Sequence, residues 1–437
     1  AGEWDPFWLD LYEWLVEDPE RRQRALRVLK SLAFTNYVGK LGDDTARALY
    51  PDPVTASVSR LEAFARCPFA HFAGWALRLA ERELFRLEPP GMGTFIHETL
   101  RKLVDDLGDE RALAGLSDAE IDAKVARIVE ELAPRLQNEI LRSSARYEYI
   151  ERVLTRILRR SAKVLKDHAC RSEFRSVGRE VAFGHGRLEG SSIPGLKLEI
   201  DDGRRLVLVG RIDRVDVAEA GGVSYLRVID YKSSQRSLDL RDVYDGIALQ
   251  LLVYLAVAED HSEALTRGRA EPAGALYFPA ADPLVSASGP VDDDDLESRR
   301  KRMLKMTGVI VGGPDVVRLM DKKIQGASDI VPARLTKDGE VAKSSGSNVI
   351  ARERYRALRR FLLAKVRELS SRIVAGEVAA RPYRRGKFRA CQWCEFKPVC
   401  GFDILLPGNE YRDAVCLEND EFWAAVERNV SSEGDVS

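Results

Sequence analysis

At 437 residues the chain is longer than one ordinary hydrophobic core fills, which points to two or three domains, or to one large domain with an appendage. Its 45% apolar and 31% charged residues are those of a folded globular protein, and no run of about twenty apolar residues offers a membrane span. A formal net charge of −1 excludes a globally basic nucleic-acid binder, so any phosphate contact must come from local clusters of Lys and Arg.

The chain opens "AGEWDPF" with no secretory leader and no initiator Met. It reads as a cytoplasmic segment of something larger. Residues 1–55 carry apolar residues at helical spacing and end in "YPDPVTAS", a Pro-rich boundary, so they are expected to be the helical tail of a preceding region. From Ser57 the stretch "SRLEAFARCPFAHFAGWALRL" reads as helix, breaks at "EPPGMG", and resumes at about Thr94 in a mostly helical tract to about Ala169. Within it, Ser117 to Glu120 is a capping-box start and Pro134 a break.

The period then changes to two. "GREVAFG", "LKLEIDDGRRLVLVGRIDRVDV" and "YLRVIDYKSS" predict strands, with Asp202-Gly203 and "EAGG" as hairpin turns. "DVYDGIALQLLVYLAVAED" returns to helix and "GALYFPA" reads as strand. Residues 282–350 are expected to hold hairpins and an irregular insertion, in which the "DDDD" run reads as a solvated loop without function. A helix from about Ala351 to Gly376 then leads to "RACQWCEFKPVC". The basic runs Arg299 to Arg302 and Arg381 to Arg389 are compatible with nucleic-acid binding, although such runs are more often solvated faces. Residues 431–437 are expected as a flexible tail.

Chemistry concentrates in "VGRIDRVDV" and "LRVIDYKSS". Asp213 lies on one strand and Asp230 on the next, so a hairpin brings two carboxylates together. Lys232 stands two residues beyond Asp230 and therefore shares its face, while Tyr231 points away. Hard oxygen ligands of this kind suit magnesium or manganese, and a lysine beside them stabilises charge on a phosphate. The plainer alternative pairs Asp213 with Arg211 or Arg214 at the surface. His97 near the front of a helix is a further candidate ligand. Gln250 and Tyr254 share a helix face at i and i+4, placed to hydrogen-bond phosphate or water.

Taken together these motifs, namely His97 in "GTFIHETL", Asp213 in "GRIDRVD", Asp230 with Lys232 in "VIDYKSS" and Gln250 with Tyr254 in "QLLVY", resemble the RecB-type branch of the PD-(D/E)XK nuclease superfamily. The resemblance implies an α/β, restriction-endonuclease-like core with a mixed sheet flanked by helices, occupying residues 56–430. It implies that His97, Asp213, Asp230 and the Tyr231 carbonyl bind the divalent ion, with Lys232 catalytic, Gln250 and Tyr254 in support, and Glu180 a weaker candidate for an extra acidic ligand. Within that branch the chain is similar to the nuclease region of the AddB-type subunits of ATP-dependent helicase/deoxyribonucleases. That similarity rests on "SVSRLEAFARCPFAHFAGWALRLAERELFRLEPPGMGTFIHETL", "SDIVPARLTKDGEV" and "CQWCEFKPVC". It implies a preceding helicase-like region, single-stranded DNA as substrate, an AddA-type helicase-nuclease as heterodimer partner, and a role in recombinational repair. No G-x-x-x-x-G-K-[ST] phosphate loop occurs, so ATP hydrolysis is not expected of this segment. The rival readings are a stand-alone CRISPR-associated iron-sulfur exonuclease and a non-catalytic DNA-binding scaffold.

Six cysteines are too few for a disulfide scaffold, which makes metal binding the better reading of a cluster. Cys391, Cys394 and Cys400 make an incomplete four-ligand site, and chemistry alone leaves zinc and iron-sulfur equally open. The resemblance supplies Cys67 as the fourth ligand of a 4Fe-4S cluster. A partner so far upstream makes the cluster a staple joining the two ends of the domain, worth roughly 5 kcal/mol by loop-closure arguments. Cys170 and Cys416 read as buried free thiols.

Overall fold

The computed structural model describes all residues except 1–4, 33–38, 83–84, 109–110, 137–138, 185–191, 201–202, 267, 288, 343–346 and 434–437. Among the described residues nine strands form the main sheet: β1 Val54–Ser57, β2 Arg175–Phe183, β3 Ser192–Ile193, β4 Leu196–Glu199, β5 Arg205–Ala220, β6 Val223–Lys232, β7 Ala270–Pro279, β8 Thr307–Val311 and β9 Val349–Ile350. Their order is β3-β2-β5-β6-β7-β8-β9, with β1 and β4 pairing the far part of β5. A small second sheet joins β10 Tyr383–Arg385, β11 Phe388–Arg389 and β12 Arg412–Asp413.

The β5–β6 hairpin closes where the sequence places its "EAGG" turn. Ala220 pairs with Val223, and Gly221 and Gly222 both take positive φ, 58° and 78°. That is the backbone of a two-residue type I′ turn, open to glycine at little cost. Asp202 of the other expected turn lies outside the described residues. Between β6 and β7 the chain crosses over through helix Gln250–Asp260, so these strands run parallel, as such a crossover requires.

Each sheet face carries its own core. One is shared with helices Val58–Arg66, Gln250–Asp260, Arg352–Val374 and Asn419–Glu433, the other with Pro89–Leu107, Asp118–Leu132 and Ala145–Arg171. Residues Leu251 to Ala258 are all buried, because that helix lies between the sheet and neighbouring helices. This explains its near-continuous apolar run.

Helix punctuation follows local chemistry. The Ser117 side chain accepts from the Glu120 N–H while Glu120 accepts from the Ser117 N–H, a complete capping box, and the helix gives way at Ala133–Arg135 around Pro134. Helix Pro89–Leu107 starts five residues before the expected Thr94, since proline is favourable in a first turn, where no N–H partner is needed.

Three expectations change. The "DDDD" run is not a loop: Asp293 to Asp295 form the first turn of helix Asp293–Met303, and Arg300 to Arg302 its last. Acid at the N-terminus and base at the C-terminus both complement the helix dipole. The segment expected to hold hairpins and an irregular insertion supplies β8 and β9 to the main sheet, where they pair with each other in parallel rather than as a hairpin. The last helix extends to Glu433, into the expected tail, whose residues 434–437 lie outside the described ones.

Candidate metal centre and cysteine cluster

Pairing of β5 with β6 ends at Arg214↔Ile229. One residue further, the Asp213 carboxylate replaces the missing ladder and accepts the Tyr231 N–H through Oδ2 at 2.8 Å. On the other side of β5, Arg179 pairs Arg214 and Val181 pairs Ile212, which puts Glu180 across from Asp213. Glu180 has φ 49°, a left-handed conformation that is rare for a non-glycine strand residue and costs about 1–3 kcal/mol.

His97, from helix Pro89–Leu107, completes the group. Its ligand atom and those of Glu180 and Asp213 all lie within 4.8 Å of one another. His97 Nε2 is 2.8 Å from the Tyr231 carbonyl. A carbonyl only accepts, so Nε2 carries the proton in the neutral ring, and Nδ1 turns its lone pair toward Asp213 Oδ2, 3.4 Å away. Three acceptors face one another, and Arg211 Nη1, 3.6 Å from Glu180 Oε2, is a cation already beside them. Burial, then the Asp230 charge, holds the Asp213 carboxyl well above the usual carboxylate range, and burial lowers the His97 imidazole. The donor set therefore fits a hard divalent ion.

Asp230 and Lys232 share the sheet face toward helix Gln250–Asp260, while Tyr231 belongs to the opposite core. Lys232 Nζ lies 2.5 Å from Asp230 Oδ2, a charge contact without hydrogen-bond direction. Asp230 stands outside the tight three-residue group, although its charge is felt by Asp213. Gln250 Nε2 donates to Tyr254 Oη at 2.9 Å. Burial first, then Gln250 and the charges of Asp230 and Asp213, act on the Tyr254 hydroxyl, whose pKa is pushed up to about 12. The structure thus gathers His97, Glu180 and Asp213 into one group, with Asp230, Lys232, Gln250 and Tyr254 beside it.

Sequence reasoning missed Tyr277, Arg236 and Glu62. Tyr277 is the register neighbour of Asp230 on β7, and both Lys232 Nζ and Arg236 Cζ lie 5.6 Å from its ring centroid. The Glu62 signal was available: it is the single acid among the buried positions of helix Val58–Arg66.

The basic runs are largely engaged within the fold. Arg299, Arg300 and Lys301 pair with Asp295, Glu297 and Asp167. Arg381, Arg384 and Arg385 pair with Glu410, Asp413 and the carboxylates of Asp239 and Asp242. A groove of about 940 Å³ beside the metal group is lined by Arg101, Arg179 and Arg211 with Gly93, Thr94 and His97, and these arginines are paired as well, Arg101 and Arg179 with Asp105 at 3.0 and 2.8 Å and Arg211 with Glu180 at 3.6 Å.

Cys67, Cys391, Cys394 and Cys400 line one cavity of about 690 Å³. Cys67 sits between helix Val58–Arg66 and a short helix begun by Pro68, Cys391 in the turn Ala390–Trp393, and Cys400 at the end of Lys397–Cys400. Burial, with the neighbouring thiols Cys400 and Cys391 adding to it, pushes the Cys67 thiol up to about 12. Burial and the other two C-terminal thiols push Cys391 to about 11. Cys67, Cys391 and Cys400, each held above its ordinary thiol value, suit a metal group that would take up their charge. Cys170 and Cys416, expected to be buried, are part-exposed and exposed, the latter because it lies on the irregular link between β12 and the last helix.

Residues 55–401 match the family model described as the PD-(D/E)XK nuclease superfamily. Residues 2–31 match the model described as the ATP-dependent helicase/deoxyribonuclease AddB fifth domain. The chain is similar to the B subunit of the ATP-dependent helicase/deoxyribonuclease of Moorella thermoacetica, 44% identical over 420 residues that cover 96% of this chain and 36% of the relative. It is 40% identical over 430 residues to the corresponding protein of Desulforamulus reducens and 38% identical over 431 to that of Bacillus mycoides. Those alignments cover 98% of this chain and 36% of each relative. The chain therefore spans about a third of the length of the curated relatives it matches. It belongs to the PD-(D/E)XK nuclease superfamily.

Proposed function

We propose that this member of the PD-(D/E)XK nuclease superfamily is a metal-dependent deoxyribonuclease segment that hydrolyses phosphodiester bonds of single-stranded DNA. The observation that carries the reading is the convergence of His97, Glu180 and Asp213 within 4.8 Å beside the buried Asp230 and its partner Lys232. His97, Glu180, Asp213 and Asp230 would hold magnesium or manganese, with the Tyr231 carbonyl as a further ligand. When bound, such an ion supplies Lewis-acid polarisation of the phosphate and an activated water.

The remaining chemistry belongs to the chain. Asp230 fixes the Lys232 ammonium, which neutralises charge developing on the phosphate oxygens. The face of the Tyr277 ring lies 5.6 Å from Lys232 Nζ, a cation–π contact that adds to the Asp230 pairing. Gln250 orients the Tyr254 hydroxyl, kept protonated by burial, as a hydrogen-bond donor to substrate or water. Arg101, Arg179 and Arg211 in the adjacent groove would meet the strand's phosphates by exchanging their Asp105 and Glu180 partners.

The four cysteines would hold a 4Fe-4S cluster rather than zinc. Zinc–sulfur bonds of about 2.3 Å bring tetrahedral thiolates within about 4 Å of one another. Among the described residues the group compact enough for a single ion is His97, Glu180 and Asp213, and the four thiols are spread around a larger cavity. The relatives are B subunits of ATP-dependent helicase/deoxyribonucleases, which supports a heterodimer with an AddA-type partner, a preceding helicase-like region and a role in recombinational repair of double-strand breaks. It favours this reading over a stand-alone exonuclease. A non-catalytic scaffold has no need of the ligand group, Asp230 and Lys232 together.

The test is degradation of a single-stranded oligonucleotide with and without Mg2+, comparing wild type with Asp230→Ala and Lys232→Ala. Loss of at least about a hundredfold in both variants is expected. Equal rates in all three proteins would sink the assignment.

A further inference from the structure

Helix Val58–Arg66 reaches the cysteine cavity at one end and the nuclease site along its side. Its last residue, Arg66, and Ala63 line the cavity, and the next residue is Cys67. On its buried face Glu62 is only 5% exposed. Glu62 Oε1 accepts the backbone N–H of Leu249 at 2.8 Å and of Gln250 at 2.9 Å. These groups open helix Gln250–Asp260, whose own N-cap residue, Leu249, gives no side-chain hydrogen bond.

A helix start leaves its first N–H groups without partners and carries a positive dipole end. Here a carboxylate from another helix satisfies two of them. Arg66 steadies that carboxylate, with Nη2 3.6 Å from Glu62 Oε2, and donates to the Ile247 carbonyl just upstream of the same helix start. The helix so anchored begins with Gln250 and carries Tyr254 one turn on, the pair joined by a 2.9 Å hydrogen bond.

We propose that Glu62 is a positioning residue that couples the cysteine cluster to the nuclease site, by fixing the start of the Gln250-Tyr254 helix against the helix that ends at Cys67. The inference rests on the reading of Gln250 and Tyr254 as nuclease-site residues. A buried ion is a poor stabiliser compared with an apolar side chain of similar size, so shape-filling alone does not account for an acid here. Two directed hydrogen bonds do, because they set helix position as packing of a smooth side chain does not.

The experiment uses the full-length protein in its heterodimer, with Glu62→Ala, Glu62→Gln, Gln250→Ala and the double variant Glu62→Ala/Gln250→Ala. Hydrogen exchange of the peptide covering residues 249–252 is read beside visible absorption of the cluster and Mg2+-dependent cleavage of a single-stranded oligonucleotide. In Glu62→Ala, exchange is expected to rise in that peptide while cluster absorption stays at the wild-type level. Cleavage kcat falls roughly ten- to a hundredfold with KM little changed, as a displaced catalytic group would cause. Glu62→Gln, which keeps an acceptor oxygen, restores protection and stays within roughly threefold of the wild-type rate. The double variant is no slower than Gln250→Ala, since both act through one element.

Wild-type exchange at 249–252 in Glu62→Ala would overturn the proposal. So would exchange raised evenly across the chain with loss of cluster absorption, or multiplication of the two rate losses in the double variant. A wild-type cleavage rate in Asp230→Ala would instead overturn the nuclease-site assignment, and hydrogen exchange would then decide the role of Glu62 by itself.

Discussion

Asp213 accepts the backbone N–H of Tyr231 at 2.8 Å just past the last β5–β6 pair, so one carboxylate both ends a ladder and enters the metal group. Its second role sets it against the protein's own stability. It is held beside His97 and Glu180 and within reach of the Asp230 charge, and burial pushes its carboxyl well up. Asp213→Asn keeps an acceptor for Tyr231 and removes the charge. Without divalent ions the variant is expected to be more stable than wild type, by about 1 kcal/mol, as is common for substitutions that relieve functional strain. Mn2+ binding, followed by titration calorimetry, is expected to weaken at least about tenfold. A lower melting temperature in the metal-free variant would contradict this account.

Beneath the site, Asp216 lies fully buried between two arginines. Arg214 Nε and Nη2 donate to its oxygens at 2.5 and 2.7 Å, and Arg227 Nε at 2.9 Å. Burial opposes ionisation of Asp216, but the two guanidinium charges outweigh it and hold the carboxyl below its ordinary value. Asp216→Ala would leave two cations buried against each other, a loss of about 3–5 kcal/mol. Urea unfolding is the measurement. A loss under about 1 kcal/mol would mean that the arginines find water or other partners.

Much of this layout can be read from the amino-acid order, because its signals are local. Gly221-Gly222 specify a turn, Ser117 and Glu120 specify a helix start, and Asp230-x-Lys232 share a strand face by period alone. Glu180 was harder, since its role depends on a positive φ opposite Asp213 that no side-chain pattern encodes. Tyr277 and Arg236 reach the site through strand register and ring contact, which exist only once the sheet is assembled. The "DDDD" run was read as a loop because it was taken by itself, whereas its acids and the basic run Arg300 to Arg302 are the two ends of one short helix.

Acid should weaken the Asp239 clasp on the arm that carries the C-terminal cysteines, while burial raises the neighbouring Asp242 carboxyl and keeps it out of this effect. Arg385 on β10 clasps Asp239 at 2.5 Å and also pairs with Asp242, tying the small sheet to the segment before helix Gln250–Asp260. Burial works against the charge on Asp239, but hydrogen bonds from Arg241 and Arg385 outweigh it and lower its pKa to about 2. A carboxyl held below its ordinary 3.8 binds protons more readily in the unfolded chain. Its stabilising contribution is therefore complete above about pH 4 and is lost as pH falls toward about 2. Because the pair is part-exposed, the contribution should be about 1 kcal/mol or less. The melting temperature of Asp239→Asn is expected to lie below that of wild type at about pH 7 and to meet it near pH 2. A gap that persists at the acid end would assign the effect to packing.

The cysteine cavity makes a prediction that separates its two candidate occupants. Cys67 and Cys391 approach from opposite ends of the sequence, so any group bonded to both closes a loop that includes nearly the whole nuclease core. Its removal should cost stability on the scale of a long-loop cross-link, roughly 4–5 kcal/mol. Protein purified without oxygen is expected to be brown, with iron and acid-labile sulfide in equal amounts and broad visible absorption from sulfur-to-iron charge transfer. Cys67→Ser should lose that colour together with most of the stabilisation, although its own side chain is nearly the same size. Cys170→Ser, far from the cavity, should lose neither. A colourless wild-type protein containing zinc would establish the other occupant. A Cys67→Ser protein that keeps full iron would show that the upstream thiol is not a ligand and that the two ends of the core are held by packing alone.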